Sequence, residues 1–199
     1  MGTIGLAKER KVNWKDLNIN DVKRYVEAFD ICYEKSENEI IGAFRDNSHR
    51  TDVVEKRIHL LNGFYHTRVP VEPMQKVLIS LQKSKQWVEW IKNGAEEAVK
   101  EIVERNEKNF FSFATKYCCF ANSEKYPIYD SLSIKALKML DEHKSFLDNK
   151  IDFEKIRTEK EYEKYRSIVD SFIETFELND KELKYKNIDK FLWLVGKNL

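Results

Sequence analysis

Apolar residues recur every three or four positions along most of the chain, the spacing that gathers side chains on one face of an α-helix. The pattern is clearest in VKRYVEAFDIC at 22–32 and in YEKYRSIVDSFIETF at 162–176. Helices are predicted wherever the spacing holds, over residues 22–32, 40–44, 54–65, 74–81, 87–91, 95–103, 110–121, 131–139, 162–176 and 188–195. No segment alternates apolar and polar residues as a half-buried strand does. The sequence therefore predicts an all-α fold, built as a compact multi-helix domain.

Capping residues and prolines predict where several of these helices begin and end. Asn20 or Asp21 can cap the first helix, because a short polar side chain accepts hydrogen bonds from the free N–H groups of a helix start. Pro73 can open the fourth helix, since proline is favoured in the first turn. Asn93 followed by Gly94 predicts the end of the helix before them.

The length of 199 residues fits one domain with a core large enough to fold without disulfides or metals. Residues 1–199 are accordingly predicted to form a single all-helical domain. Within it, residues 1–18 are expected to be a flexible extension. The charged residues 141–160 are expected to be a mobile connector, but not a domain boundary.

Charge and aromatic content narrow the class of protein. Charged residues make up 35% of the chain and aromatic residues 13%, a combination typical of helices with aromatic inner faces and charged outer faces. The net charge of +1 argues against a large surface that follows nucleic-acid phosphates. A local basic patch remains compatible with this charge.

Cysteine and histidine usage gives no metal-binding pattern. Cys32, Cys118 and Cys119 are too few for a four-cysteine zinc site and show no C-x-x-C spacing, and the four histidines are scattered. We therefore predict no metal and no cofactor, and we expect reduced cysteines. The start of the chain has no secretory signal pattern, and no apolar run reaches transmembrane length, so a cytoplasmic protein is expected.

The segment at 110–131, FFSFATKYCCFANSEKYPIYDS, differs from the rest of the chain. Charged residues occupy about every third position elsewhere, but Lys116 is the only one between 110 and 123. A helix that is apolar almost all round is usually buried. A lysine on such a helix either reaches solvent along its aliphatic stem or lies in the wall of a cleft. In a cleft, burial disfavours the charged form and leaves an amine that can act as a nucleophile.

Asp130 follows Lys116 by 14 positions and lies where the next helix is predicted to begin. A carboxylate there is a good N-cap, and that role alone would account for it. A lysine on one helix and an aspartate at the start of the next can also face each other across a cleft. The amine would then attack an electrophilic sugar carbon, while the carboxylate would stabilise the positive charge that develops.

The residues FATK at 113–116 and IYD at 128–130 resemble the helix-hairpin-helix DNA glycosylases, more specifically the compact 8-oxoguanine-glycosylase-like proteins of bacteria. The resemblance implies a domain like the helix-hairpin-helix glycosylase core, with DNA as the partner. It implies that Lys116 attacks C1′ of a damaged nucleotide and that Asp130 helps to deprotonate the amine and stabilises the transition state. A base flipped from the duplex would enter a pocket with aromatic walls, and a Schiff-base lyase step would follow.

Six further residues are candidates for contacts with the substrate, namely Ser112, Thr115, Tyr117, Tyr129, Trp87 and His66. Trp87 lies one turn from Trp90 and could stack on a base, although tryptophans at this spacing are more often core residues. His66 follows a predicted helix end, where it could face a cleft or simply be solvated. Tyr129 could form a hydrogen bond in the cleft or only pack.

The sequence leaves a second class of function open. In these glycosylases a glycine-rich hairpin precedes the lysine and holds DNA phosphate through backbone amides, whereas this chain reads EKNFFSFATK at 107–116. The alternative is a catalytically silent nucleic-acid-binding or interaction module, for example in a bacterial defence system, that keeps the fold without the chemistry. A purely structural helical protein is the third interpretation.

Overall fold

A computed structural model describes residues 12–46, 48–106, 108–148, 151–180 and 183–199, and its regular elements are all helical. They are a 3₁₀-helix, Trp14–Asp16, and the α-helices α1 Ile19–Arg45, α2 Thr51–Tyr65, α3 Val71–Gln82, α4 Lys85–Asn93, α5 Glu97–Glu104, α6 Phe111–Ala121, α7 Ser131–His143, α8 Phe153–Thr158, α9 Tyr162–Thr175 and α10 Tyr185–Asn198. The described residues contain no strand, so the all-α prediction is confirmed. None of the described helices is both long enough and apolar enough to cross a membrane.

Helix α1 is longer than predicted at both ends. The apolar residues at 40–44, predicted as a separate helix, belong to α1, because the polar stretch at 33–39 contains no proline or glycine to interrupt the backbone. The N-cap is Asn18, whose side chain accepts hydrogen bonds from the N–H groups of Asn20 and Asp21. Asp21 completes a capping box by accepting from the Asn18 N–H, so the predicted cap was wrong by two or three positions.

The other predicted helix boundaries hold in part. Helix α3 begins at Val71 with Pro70 in the cap position, so Pro73 is the third residue of the helix and not its first. The predicted stop after α4 is confirmed, because Gly94 adopts a left-handed backbone with φ of 76° and its N–H donates to the Trp90 carbonyl. A Cβ at Gly94 would also lie 2.8 Å from the Lys125 Cβ, so the position favours glycine twice over.

The predicted flexible extension is packed where it is described. Residues 1–11 lie outside the described residues, but residues 12–18 contact the fold. Leu17 is buried, and the Trp14 ring lies 6.1 Å from the Tyr25 ring. These apolar contacts hold the segment next to the start of α1.

The described part of the charged connector at 141–160 also packs against the fold. It contains α8, whose side chains Phe153 and Ile156 are buried. The Phe146 ring lies 5.6 Å from the Phe172 ring on α9. Apolar residues placed among the charges therefore dock this segment against the core.

Helix α6 lies in the core, and α10 packs against both α1 and α7. Helix α10 comes very close to α7 at Gly196, where a Cβ would lie 2.0 Å from the Leu132 carbonyl oxygen in the first turn of α7. On the other side of α6, the Tyr117 hydroxyl accepts hydrogen bonds from Arg57, at 3.2 Å, and from Gln82. Helix α10 therefore holds the start of α7, while Tyr117 ties α6 to α2 and α3.

Candidate active site at Lys116 and Asp130

Lys116 is a buried cation on a helix that is buried almost all round. Its side chain is only 1% exposed. The Nζ atom donates to Ser112 Oγ at 2.6 Å, to Asp130 Oδ2 at 2.8 Å and to the Tyr129 carbonyl oxygen at 3.4 Å. It also lies 5.0 Å from the centre of the Tyr65 ring. An ammonium group has three protons, and here three oxygens receive them, so the charge is fully satisfied without water.

Asp130 divides its carboxylate between two partners. Oδ1 accepts from the Leu132 N–H at 2.9 Å and caps α7, as the sequence predicts, while Oδ2 pairs with Lys116. The side chain is 14% exposed, so solvent reaches the carboxylate but not the amine. The carboxylate therefore lies between the N-terminus of α7 and the ammonium group of Lys116. The aspartate is thus a cap and an ion-pair partner at once.

The loop before Asp130 is held by hydrogen bonds from α6. Thr115 Oγ1 accepts from the Tyr129 N–H at 3.1 Å, and Ser112 Oγ donates to the Tyr129 carbonyl at 3.0 Å. The Tyr129 hydroxyl donates to the Phe153 carbonyl at 2.6 Å, and burial raises the pKa of this phenol to about 12. These bonds fix the distance between Lys116 and Asp130 through the backbone as well as through the ion pair.

Two clefts meet at Asp130. The first, the Ser112 cleft, has a volume of 560 Å³ and is lined by residues that include Ser112, Tyr129, Asp130, Lys138 and Arg157. The aliphatic and aromatic part of its wall comes from α2, α6, α7 and α8 and from the loops beside them. Its charged lining consists of two cations, Lys138 and Arg157, and two carboxylates, Asp130 and Glu154, and Arg157 pairs with Glu154 on the surface.

The second cleft, the aromatic cleft, has a volume of 770 Å³ and is lined by residues that include Tyr33, Phe64 and Trp193. The Phe64 and Trp193 rings are nearly parallel, with 19° between their planes. Lys197 Nζ lies 4.4 Å from the Trp193 ring centre and donates to the Tyr33 hydroxyl at 2.6 Å. The two clefts share four residues, namely Tyr65, His66, Asp130 and Ser131.

The structure divides the six predicted substrate contacts into two groups. Three of them line the Ser112 cleft, namely Ser112, Tyr129 and His66. The other three are buried and line neither cleft, namely Thr115, Tyr117 and Trp87. Burial raises the pKa of Tyr117 to about 12, and the Trp87 indole N–H donates to the Ala98 carbonyl at 3.2 Å. Their polar atoms serve the core, because each already has a partner inside it.

A buried ionic cluster beside this site has no counterpart in the sequence prediction. Lys186 Nζ lies 3.2 Å from Asp189 Oδ2 and 3.3 Å from Glu37 Oε1, and Lys190 Nζ lies 2.5 Å from Glu37 Oε2. We call Glu37, Lys186, Asp189 and Lys190 the Glu37 cluster. Burial raises the pKa of Asp189 above its usual value. The spacing of Lys186, Asp189 and Lys190 puts them on one face of a helix, and this pattern could have indicated an ionic cluster. Nothing in the sequence around Glu37 on α1 indicates that it is their partner.

The cysteines do not add a reactive thiol to the site. Cys118 and Cys119 are buried on α6, and burial raises the pKa of Cys119 to about 12, which disfavours a reactive thiolate. Cys32 is exposed on α1. Among the described residues, no group of three or more histidine, cysteine, aspartate or glutamate side chains is arranged to hold a metal ion.

Comparison with known proteins finds two matches. A protein-family model described as HI_0787_N, N-terminal domain, matches residues 20–125, which is just over half of the chain. A protein of Haemophilus influenzae, described as uncharacterized, is 35% identical over 113 residues, which are 55% of this chain and 50% of that protein. The chain therefore matches about half the length of this relative. No solved structure matches the chain.

Proposed function

Since this chain belongs to the family described as HI_0787_N, N-terminal domain, a description that names no activity, we propose its function from the site itself. The proposal is a DNA N-glycosylase of the helix-hairpin-helix type, in which Lys116 is the nucleophile and Asp130 the supporting carboxylate. The observation that carries it is the 2.8 Å pair between Lys116 Nζ and Asp130 Oδ2, because Asp130 lines both clefts while Lys116, which lines neither, is enclosed next to it. A cation buried on an apolar helix is costly to the fold, so it calls for a role.

The proposed reaction uses the contact between the Lys116 amine and the Asp130 carboxylate. Lys116 becomes a nucleophile by losing a proton, and Asp130 Oδ2 is the carboxylate oxygen placed to receive it. The amine then forms a bond to C1′ as the bond from C1′ to the base breaks, and the base leaves with the electron pair and takes up a proton. Asp130 passes the proton from Lys116 on to the departing base, and the carboxylate that this regenerates stabilises the positive charge on the sugar. Ring opening gives a Schiff base on Lys116, from which a lyase step can follow.

The aromatic cleft supports a flipped base as the substrate. Phe64 and Trp193 offer ring faces on which a base can stack, and stacking contributes about 1–3 kcal/mol per base. Because this cleft adjoins Asp130, a base stacked in it would leave its sugar beside the carboxylate. Lys197 covers one Trp193 face and would have to move aside or contact the base itself.

The Ser112 cleft supports contact with the DNA backbone on the other side of Asp130. Lys138 and Arg157 lie along its edge and could neutralise phosphates. The surface ion pair between Arg157 and Glu154 is no obstacle, because exposed pairs are weak and exchange readily with phosphate. Two cations beside Glu154 make a small phosphate-binding surface, in keeping with a net charge of +1 and with the absence of the glycine-rich hairpin.

Borohydride trapping on duplex DNA tests the proposal. One duplex carries an abasic site and the other 8-oxoguanine, and the adduct is measured by gel shift and mass spectrometry. The native chain should form an adduct with at least one duplex, and Lys116→Gln should form none. Asp130→Asn should still trap on the abasic site, where no base has to leave. On 8-oxoguanine it should be slower by about 10²–10⁴-fold.

The matched control for trapping is Lys138→Gln, which removes a lysine at the edge of the same cleft. This variant should keep the adduct, with weaker binding at low salt and a smaller dependence of the affinity on salt. An adduct that survives in Lys116→Gln would assign the nucleophile elsewhere. No adduct with either duplex would reject the enzyme.

A silent nucleic-acid-binding module is the second candidate, and one observation favours it. All three protons of the Lys116 ammonium are already accepted by protein oxygens, and the side chain is almost fully enclosed. Such a module would bind duplex DNA in a mobility-shift assay, with the same affinity for Lys116→Gln and the native chain, and would form no trapped adduct.

A further inference from the structure

Tyr65 lies beside Lys116 but has no role in the proposed chemistry. It is the last residue of α2, it is half-buried, and it lines both clefts. Its ring centre lies 5.0 Å from Lys116 Nζ and 5.6 Å from Lys186 Nζ. The ring therefore has two ammonium groups beside it, and it lines both clefts whereas Lys116 lines neither.

Lys186 holds this ring by its hydroxyl group. Lys186 Nζ donates to the Tyr65 hydroxyl at 2.8 Å, and the ammonium is itself anchored by Asp189 at 3.2 Å. The Phe120 ring centre lies 4.6 Å from the same Nζ. The phenol thus has a charged donor that is fixed in place from α10, while its ring reaches α6.

The Glu37 cluster is not arranged for the greatest stability. Asp189 Oδ1 and Glu37 Oε1 are buried without a hydrogen bond, although Glu37 Oε1 lies within ion-pair distance of Lys186. Unsatisfied buried oxygens weaken a fold, and an apolar core of the same volume is often more stable than a buried ionic group. A role beyond stability is therefore needed to account for Lys186, and its bond to Tyr65 supplies one.

We propose that Tyr65 is a positioning residue for Lys116, with its ring covering the amine and its hydroxyl tethered by Lys186. The amine reaches a substrate only when the ring moves away from it. The cation–π contact and the tether both hold the closed arrangement, so Lys116 stays enclosed until a ligand in either cleft displaces the ring. This inference rests on the proposed role of Lys116 as a nucleophile.

Reductive methylation of the native protein tests the tether without DNA. Formaldehyde and sodium cyanoborohydride methylate accessible lysines, and peptide mass spectrometry gives a rate for each site. Tyr65→Phe keeps the ring and removes the tether, so Lys116 should be methylated about tenfold faster, as expected for a lost hydrogen bond to a charged donor. Lys190 is the internal control, because it is buried in the same cluster and has no bond to Tyr65.

Two further variants make the labelling result specific. Tyr33→Phe removes a hydroxyl that accepts from Lys197 in the aromatic cleft, and it should leave the Lys116 rate unchanged. Lys186→Met removes the donor of the same hydrogen bond. It should accelerate the methylation of Lys116 as Tyr65→Phe does. The tether is rejected if either Tyr65→Phe or Lys186→Met leaves the methylation rate of Lys116 unchanged. It is also rejected if either variant raises the methylation rates of Lys116 and Lys190 together.

The labelling and trapping results separate this inference from the proposed function. Selective acceleration at Lys116 in a protein that forms no DNA adduct would keep the tether and reject the glycosylase. An adduct in the native protein with no selective acceleration in Tyr65→Phe would keep the glycosylase and reject the tether.

Discussion

Removing each partner of the ion pair in turn asks whether the fold or the function needs the charge on Lys116. Asp130→Asn leaves the ammonium enclosed without its carboxylate. Breaking a buried pair in this way costs about 3–5 kcal/mol. We expect the lower end, about 3 kcal/mol, because Ser112 Oγ and the Tyr129 carbonyl still accept two protons. Asparagine also keeps an oxygen for the Leu132 N–H, so the helix cap is largely retained.

Lys116→Met should be far milder than Asp130→Asn. The methionine side chain is apolar and of similar length, and it would lie against the Tyr65 ring where the amine now lies. The remaining Asp130 carboxylate still accepts from the Leu132 N–H and still contacts solvent. It also stays at the N-terminus of α7, where the helix dipole stabilises a negative charge. We expect a change within about 1 kcal/mol of the native chain, since apolar replacement of a buried charge is often neutral or stabilising.

Urea unfolding at pH 7, followed by circular dichroism, gives the free energy of unfolding of Lys116→Met, of Asp130→Asn and of the variant that carries both changes. The dependence of this free energy on urea concentration is compared among them to detect changes in the unfolded state. The double variant should be more stable than Asp130→Asn alone, because it removes the stranded charge. Lys135→Met, an exposed site on α7, is the control and should stay within about 0.5 kcal/mol. If Lys116→Met is as destabilising as Asp130→Asn, the lysine is a structural residue, and the argument that its charge serves a reaction fails.

Two other consequences of the packing can be measured on the same protein. Gly196→Ala should destabilise the fold by more than about 3 kcal/mol in the same unfolding assay, because its Cβ would meet the Leu132 carbonyl at 2.0 Å, whereas Gly42→Ala, with open space around it, should stabilise α1 by about 0.5–1 kcal/mol. Equal effects of the two would contradict the close approach of α10 to α7. Of the three thiols, only Cys32 should react with Ellman's reagent at pH 8 in the native protein, because burial raises the pKa of Cys119 to about 12; reaction of more than one thiol before unfolding would contradict the enclosure of α6.

The features that the sequence predicts well are those decided by neighbours along the chain. Helical spacing, the stop at Gly94 and the cap at Asp130 depend on a few adjacent residues. The approach of Lys116 to Asp130 is also nearly local, because a nine-residue connection between α6 and α7 limits how far the two can separate. The division of α1 into two predicted helices also comes from local sequence. The polar stretch at 33–39 interrupts the apolar spacing, but it contains no residue that ends a helix.

The features that the sequence misses depend on residues far apart in the chain. Glu37 and Lys190 are separated by more than 150 positions, and each looks like a solvated surface charge in its own segment. Their burial follows from the packing of α10 onto α1, which no local pattern specifies. Tyr65 is similar, because its importance comes from lying between Lys116 and Lys186 rather than from its own neighbours.

The family match ends at residue 125, between Lys116 and Asp130, and this boundary gives a last prediction about the fold. A chain truncated after residue 125 lacks α7–α10, which would uncover apolar side chains of α6 and α1. The Phe191 ring, for example, is buried and packs edge-on against Tyr25 at 5.4 Å, and it would be lost. Because one core runs through all of these helices, residues 1–125 should not fold as a unit.

Thermal unfolding followed by near-ultraviolet circular dichroism distinguishes the outcomes. The full chain should unfold in one cooperative transition, whereas residues 1–125 should lack fixed aromatic signals and melt without cooperativity. A cooperative transition in the shorter chain, with a denaturant slope fitting its size, would mean that residue 125 is a real domain boundary. The nucleophile and its carboxylate would then belong to separately folding units, and the fixed 2.8 Å pair on which the proposed chemistry depends would have no rigid basis.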